Sequence, residues 1–181
     1  MPGSIKIDDG SGNYTILTNA GSLGSDKTIT IPNETGTLNT ISGSVLQVVQ
    51  GTSTTQTVAS TTSYVDLSVS VSITPSSTSS KIFVIVSHFA IITRDGGQPR
   101  ADIRLVRDST TLRGDTSTNL YLSGDVQLNY PITLSYLDSP SSTSALTYKT
   151  QGKAAVGGSN ERLFTSLGGN LDSIVAMEIG G

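Results

Sequence analysis

Across residues 64–73 every second residue is apolar: Val65, Leu67, Val69, Val71 and Ile73 alternate with Asp66, Ser68, Ser70 and Ser72. A period of two belongs to a β-strand with one face on a core and the other toward water or polar neighbours. After a Pro-, Ser- and Thr-rich loop at 74–80 the pattern changes. From Lys81 to Thr93 the chain is almost continuously apolar, Ile82-Phe83-Val84-Ile85-Val86-Ser87-His88-Phe89-Ala90-Ile91-Ile92. Its β-branched content predicts a central strand.

Shorter signals of the same kind follow. Residues 45–50 are β-branched and apolar, and residues 101–107 set Ile103 and Leu105 opposite Arg104 and Val106. A turn at Arg107-Asp108-Ser109-Thr110 leads into residues 111–113. Residues 126–137 read as a long strand, with Pro131 marking an edge or a bulge. Segments 145–150, 162–166 and 173–179 complete the set, and no amphipathic helix is evident. Many short strands joined by Ser, Gly and Pro turns predict an all-β chain with an antiparallel, jelly-roll-like β-sandwich over residues 44–181.

Residues 1–43 differ. Short β-like pieces at 4–7, 14–18 and 28–31 are separated by turn formers, and large apolar residues are few. Such a segment cannot bury a core alone, so an extended β arm or a short shaft is expected. Ile41-Ser42-Gly43-Ser44 is the expected joint.

Charged residues make up only 14% of the 181-residue chain, against about a quarter in ordinary domains. Ser and Thr take their place and exceed a quarter of all residues. The apolar residues nevertheless sit in organised runs, which is not the pattern of a disordered chain. The net charge is −3 and no basic stripe is present, so no nucleic-acid partner is expected. The chain has no cysteine, so disulfides and thiolate metal sites are excluded. The longest apolar run is too short to span a bilayer, and no membrane insertion is expected. The start, Met1-Pro2-Gly3-Ser4, carries no signal-peptide pattern, which fits a product made in a cytoplasm.

Two stretches carry a resemblance. Lys27-Thr28-Ile29-Thr30-Ile31-Pro32-Asn33-Glu34-Thr35-Gly36-Thr37-Leu38 resembles a segment that recurs in phage tail-fibre and related virion proteins. Val45-Leu46-Gln47-Val48-Val49-Gln50, then residues 69–82, is similar to a β-sandwich domain of phage proteins. Its later landmarks are Leu105-Val106-Arg107-Asp108-Ser109, Leu134-Ser135-Tyr136-Leu137-Asp138-Ser139-Pro140, Thr147-Tyr148-Lys149 and the ending Met177-Glu178-Ile179. The resemblance implies a phage virion surface protein of the tail-fibre or head-decoration type, assembled as a homotrimer.

Candidates for chemistry are few. His88 is the single histidine, and a Ser-His-Asp triad would have to use it. It lies inside an apolar β run, and the chain has no G-x-S-x-G elbow. A structural or interface role is expected, with an ion site on a subunit axis as the lesser alternative. Asp8-Asp9-Gly10-Ser11-Gly12-Asn13 lacks the spacing of a calcium loop and reads as a turn. Arg94-Asp95-Gly96-Gly97 has no following helix to bind an anion and reads as a loop. Arg100, Arg104, Arg107 and Arg113 are interleaved with Asp95, Asp102, Asp108 and Asp115, which predicts ion pairs rather than an anion site.

No cofactor and no metal are expected, and the chain is read as a non-enzyme. A polysaccharide hydrolase is the minor alternative, disfavoured by the absence of Trp and the scarcity of Tyr and Phe as sugar platforms. The favoured reading is a small trimeric capsid decoration, or cement, protein on the virion surface. Its partners would be its own copies and the major capsid protein or another virion protein. Its arm would bind through main-chain hydrogen bonds and the anchors Ile5, Ile7, Ile16, Leu17, Ile29 and Ile31. The choice rests on length, because an attachment module, shaft and tip would all have to fit in 181 residues. The alternative is a short tail fibre or receptor-binding protein, with loops 94–99 and 150–160 meeting a host-surface glycan.

Overall fold

The computed structural model describes residues 4–8, 14–18, 43–93, 100–114, 120–121, 128–154 and 161–181. The chain divides into two compact units, Met1–Asn39 and Thr40–Gly181. In the first, β1 (Ser4–Asp8) pairs antiparallel with β2 (Tyr14–Thr18). The register sets Ile5 opposite Leu17, Ile7 opposite Thr15 and Ile16 opposite Lys6. Alternate residues of a strand belong to opposite faces, so Ile16 does not share a face with Ile5, Ile7 and Leu17. The expected strand at 28–31, with Ile29 and Ile31, lies outside the described residues, as do the turn at 9–13 and the loop at 94–99.

The second unit is an antiparallel sandwich of two sheets. Its strands are β3 (Val45–Ser53), β4 (Thr57–Ala59), β5 (Val65–Ile73), β6 (Lys81–Thr93), β7 (Arg100–Arg107), β8 (Thr110–Arg113), β9 (Leu120–Tyr121), β10 (Leu128–Asp138), β11 (Leu146–Ala154), β12 (Arg162–Thr165) and β13 (Asp172–Ile179). One sheet is built on β6, which pairs with β10 along one edge. Its other edge is shared: β13 covers Lys81 to Ser87 and β12 covers Ala90 to Thr93. β3 lies outside β13, and β4 lies outside β12. The second sheet runs β5-β11-β7, and both β8 and β9 then pair with β7.

The inward faces follow the period of two. Val69, Val71 and Ile73 of β5 meet Ile82, Val84 and Val86 of β6, with Leu105, Tyr148, Ile174 and Ala176 filling the same cluster. A second cluster holds Leu67, Ala90, Ile92, Ala101, Ile103 and Leu163. Two glycines permit close approach. A Cβ on Gly51 of β3 would stand 2.0 Å from the Ser70 carbonyl oxygen, and one on Gly152 of β11 would stand 2.6 Å from a Leu163 methyl. Pro131 sits on β10, the edge strand, where its missing N–H costs the sheet least.

The sandwich expectation holds, with local differences. β11 runs to Ala154 rather than ending at Thr150, and β3 runs to Ser53. The short strands β4 and β9 carry no periodic signal of their own. They are strands because β12 and β7 offer them a hydrogen-bonding edge. Apart from the single 3-10 turn Leu167–Gly169, no helix occurs among the described residues.

Candidate functional site

Along β6 the inward residues run Ile82, Val84, Val86, His88, Ala90, Ile92, so His88 falls between the two apolar clusters. The same parity brings Thr150 of β11 and Asp172 of β13 to that level. His88 Nδ1–H donates to Asp172 Oδ2 at 2.8 Å, and His88 Nε2 lies 2.8 Å from the Thr150 hydroxyl. Ser166 and Ser68 hydroxyls also donate to Asp172 Oδ2, at 2.6 and 3.0 Å. Asp172 Oδ1 accepts the Phe89 amide at 2.8 Å. That amide falls in the gap where β12 has ended and β13 has not begun, so the carboxylate stands in for a missing strand partner.

Burial opposes ionisation of Asp172. The hydrogen bonds from His88, Ser166 and the Phe89 amide outweigh it and hold the carboxyl below its ordinary range. Hydroxyl, imidazole and carboxylate are thus in the order of a nucleophilic triad. Thr150 and Asp172 are nevertheless 0% exposed and His88 is 1% exposed. A nucleophile must touch its substrate, and this one is enclosed between the sheets. The layer ties β6, β11 and β13 together in one register. Both ring nitrogens of His88 are engaged and the ring is enclosed within one chain, so of the structural or interface role expected the geometry gives the structural one, and leaves no ring nitrogen for an axial ion.

Two further polar clusters fasten loops. Glu178 on β13 accepts the Ser76 amide at 2.7 Å and the Ser76 hydroxyl at 2.6 Å, and Gln47 donates to its other oxygen. Burial works against its charge, but the donors prevail and lower its pKa to about 2. Gln47 also donates to the Thr74 carbonyl, so the loop crossing from β5 to β6 is held at two points. Asp138 at the end of β10 accepts the Tyr148 hydroxyl at 2.7 Å and is paired with Arg107. Burial first, and then Asp138, push the Tyr148 phenol far up.

The arginine group forms contacts with partners other than its sequence neighbours. Arg107 meets Asp138, Asp102 meets Lys153, and Asp108 accepts the Thr147 amide. Arg104 donates twice to Gln151 and stacks on Tyr64, and Arg113 donates to the Ser135 carbonyl. Asp95 and Asp115 lie outside the described residues. Of the proposed glycan loop at 150–160, Thr150 to Ala154 belong to β11, with Thr150 in the core, because the alternating pattern there continues through Gly152 and Ala154. No group of three or more potential metal ligands occurs among the described residues, and none of their helices is long and apolar enough to cross a membrane.

The two outer faces of the sandwich differ in kind. On the β5-β11-β7 sheet the outer face carries Asp66, Lys149, Gln151, Arg104 and Lys153 in a connected polar ladder. On the β6 sheet it is uncharged, with an apolar row beside a row of hydroxyl side chains, Thr52, Ser173, Ser87 and Thr133. Val48, Met177, Phe83 and Leu137 lie directly opposite one another on β3, β13, β6 and β10 and form one unbroken row. Val48 is 56% and Leu137 49% exposed. All three phenylalanines of the chain, Phe83, Phe89 and Phe164, occupy this face rather than the core. Among the described residues charge appears on it only at its ends, at Lys81 and Arg162. The sequence signal for it was the continuous apolar run of β6, which marks a strand whose two faces both seek cover. Asp172, Thr150 and Glu178 were missed by sequence reasoning. Their signal was only that they share the in-facing parity of apolar neighbours.

Fold and surface together define an all-β antiparallel sandwich with one uncharged outer face crossed by an apolar row. No protein-family model matches the chain, and no curated protein is significantly similar to it. Among solved structures it is similar to the infectious bursal disease virus VP2 subviral particle, at 13% identity and a TM-score of 0.46, over 85% of this chain and 38% of that one. It is also similar to the infectious bursal disease virus Gt strain structure, at 16% identity and a TM-score of 0.34, over 94% of this chain and 46% of that one. The chain therefore spans less than half the length of either.

Proposed function

We propose that this protein is a non-enzymatic structural component of a bacteriophage virion, a small homotrimeric decoration protein on the capsid surface. The observation that carries this reading is the outer face of the β6 sheet. Half-exposed aliphatic side chains, Val48 and Leu137, flanking the partly buried Met177 and Phe83 without interspersed charge, suit a surface made for protein contact rather than for a soluble substrate. The virion assignment draws its support from the resemblance of residues 27–38 and 45–179 to phage surface proteins. In this reading residues 1–43 attach the sandwich to the shell. Among the described residues β1 and β2 pair only with each other, which leaves each an edge for strand addition, and Ile5, Ile7, Ile16, Leu17, Ile29 and Ile31 serve as anchors. The major capsid protein or a neighbouring virion protein is the partner, and neither cofactor nor metal takes part.

The second reading, a short tail fibre meeting a host-surface glycan, is favoured by residues 27–38, the stretch most similar to fibre segments. Gold-labelled antibody against the sandwich, viewed on intact particles by electron microscopy, separates the two. Label over the head supports decoration. Label confined to the tail removes that reading and makes the protein a fibre. Particles without label overturn both.

A further inference from the structure

We infer that the outer face of the β6 sheet is a self-association surface, covered in the working protein by further copies of this chain. The inference deepens the reading of the protein as an assembly component and rests on it, but not on where in a particle it sits.

Three observations carry it. First, the face spends the residues a core would want. All three phenylalanines lie on it, and the row Val48, Met177, Phe83 and Leu137 crosses four strands without a polar break. Aromatic residues and methionine at positions free of charge are the composition of an interface centre. Second, its charge pattern selects its partner. The opposite face of the sandwich bears Asp66, Lys149, Arg104 and Lys153, charged groups that would lose their water against an apolar surface. The β6 face has no such group between Lys81 and Arg162. Among the described surfaces its complement is therefore the same face of another copy. Third, the size is right. The 13 residues of β6 at about 3.3 Å each, across four strands about 4.8 Å apart, give a face of roughly 800 Å². That is about what one partner contributes to a stable protein interface. Three such faces turned toward a threefold axis, or two facing each other, would exclude water from the row.

Sedimentation of the full chain tests this. The native protein is expected at a multiple of its 18.7 kDa mass. Val48→Lys with Leu137→Lys, both on half-exposed edge-strand positions, should bring the mass down to that of one chain with an unchanged far-ultraviolet spectrum. Ser70→Lys on the opposite face should leave the multimer intact. A native monomer, or a double variant that stays multimeric, overturns the proposal. Should the double variant misfold, thiol labelling decides instead, because the chain has no cysteine of its own. Val48→Cys should be protected from a charged thiol reagent in the multimer while Ser70→Cys reacts. Rapid labelling of Val48→Cys in the multimer overturns the proposal. So does protection of Val48→Cys in a monomer, which would mean that the chain covers the face itself. A dimeric mass supports the surface and removes the trimer of the preceding reading, while label absent from the virion removes that reading and leaves the mass untouched.

Discussion

Asp172 gathers four hydrogen-bond donors in the core of the sandwich. It accepts from His88, Ser166, Ser68 and the Phe89 amide in a space closed to water. Asp172→Ala would leave those donors buried without an acceptor, a loss of about 3–5 kcal/mol. Urea unfolding measures it, and a loss below that of Ser68→Ala would contradict the account. Ser166 sharpens the point, because it holds a left-handed backbone (φ 55°). A non-glycine residue there costs about 1–2 kcal/mol, offset by the bond from its hydroxyl to Asp172. Acid probes Glu178. Its folded pKa of about 2 lies below its ordinary 4.5, so its stabilising contribution is complete above 4.5 and fades as the pH falls toward 2. Asp172 is shifted the same way and adds to the same slope. The urea midpoint should therefore drop between pH 4.5 and 2, and Glu178→Gln should flatten that drop. An equal slope in the variant would mean that other carboxylates govern it. Tyr148→Phe should cost about 1 kcal/mol by removing one hydrogen bond to Asp138 while keeping the ring packed.

At the scale of elements, β6 organises the sandwich. Its inward residues supply both apolar clusters and the histidine between them, and its outward residues supply the centre of the uncharged outer face, with Phe83 in the apolar row. It uses three partners along two edges, and the hand-over from β12 to β13 creates the gap that Asp172 fills. β3 approaches β5 at Gly51, where any side chain would strike the Ser70 carbonyl. Gly51→Ala should lose about 1–3 kcal/mol as backbone shifts to make room. Thermal unfolding checks it, and an unchanged melting temperature would show that β3 is free to move. The bounds of β6 and the two-residue turn at Asp108-Ser109 were readable from periodicity and turn chemistry. The strands β4 and β9 and the extension of β11 were not, because a neighbour's free edge made them.

At the scale of the molecule, the two units invite separation. Every residue of the two apolar clusters lies within Thr40–Gly181, so that unit carries its own core. Removing residues 1–39 should leave a folded, self-associating sandwich that no longer joins the virion. A truncated chain that fails to fold, or one that still binds particles, would oppose the proposed attachment role. The class of fold and the faces of the long strands were written in the order of residues along the chain, because a strand's period of two is a local property. The sparse, interleaved charges likewise excluded a basic binding stripe. Strand pairing was not written there, nor was the meeting of His88 with Asp172 and Thr150, nor the choice by Arg107 of Asp138 over a nearer aspartate. Those contacts join residues far apart in the chain and arise only on folding, since nothing in a local pattern records which strand edge will meet which.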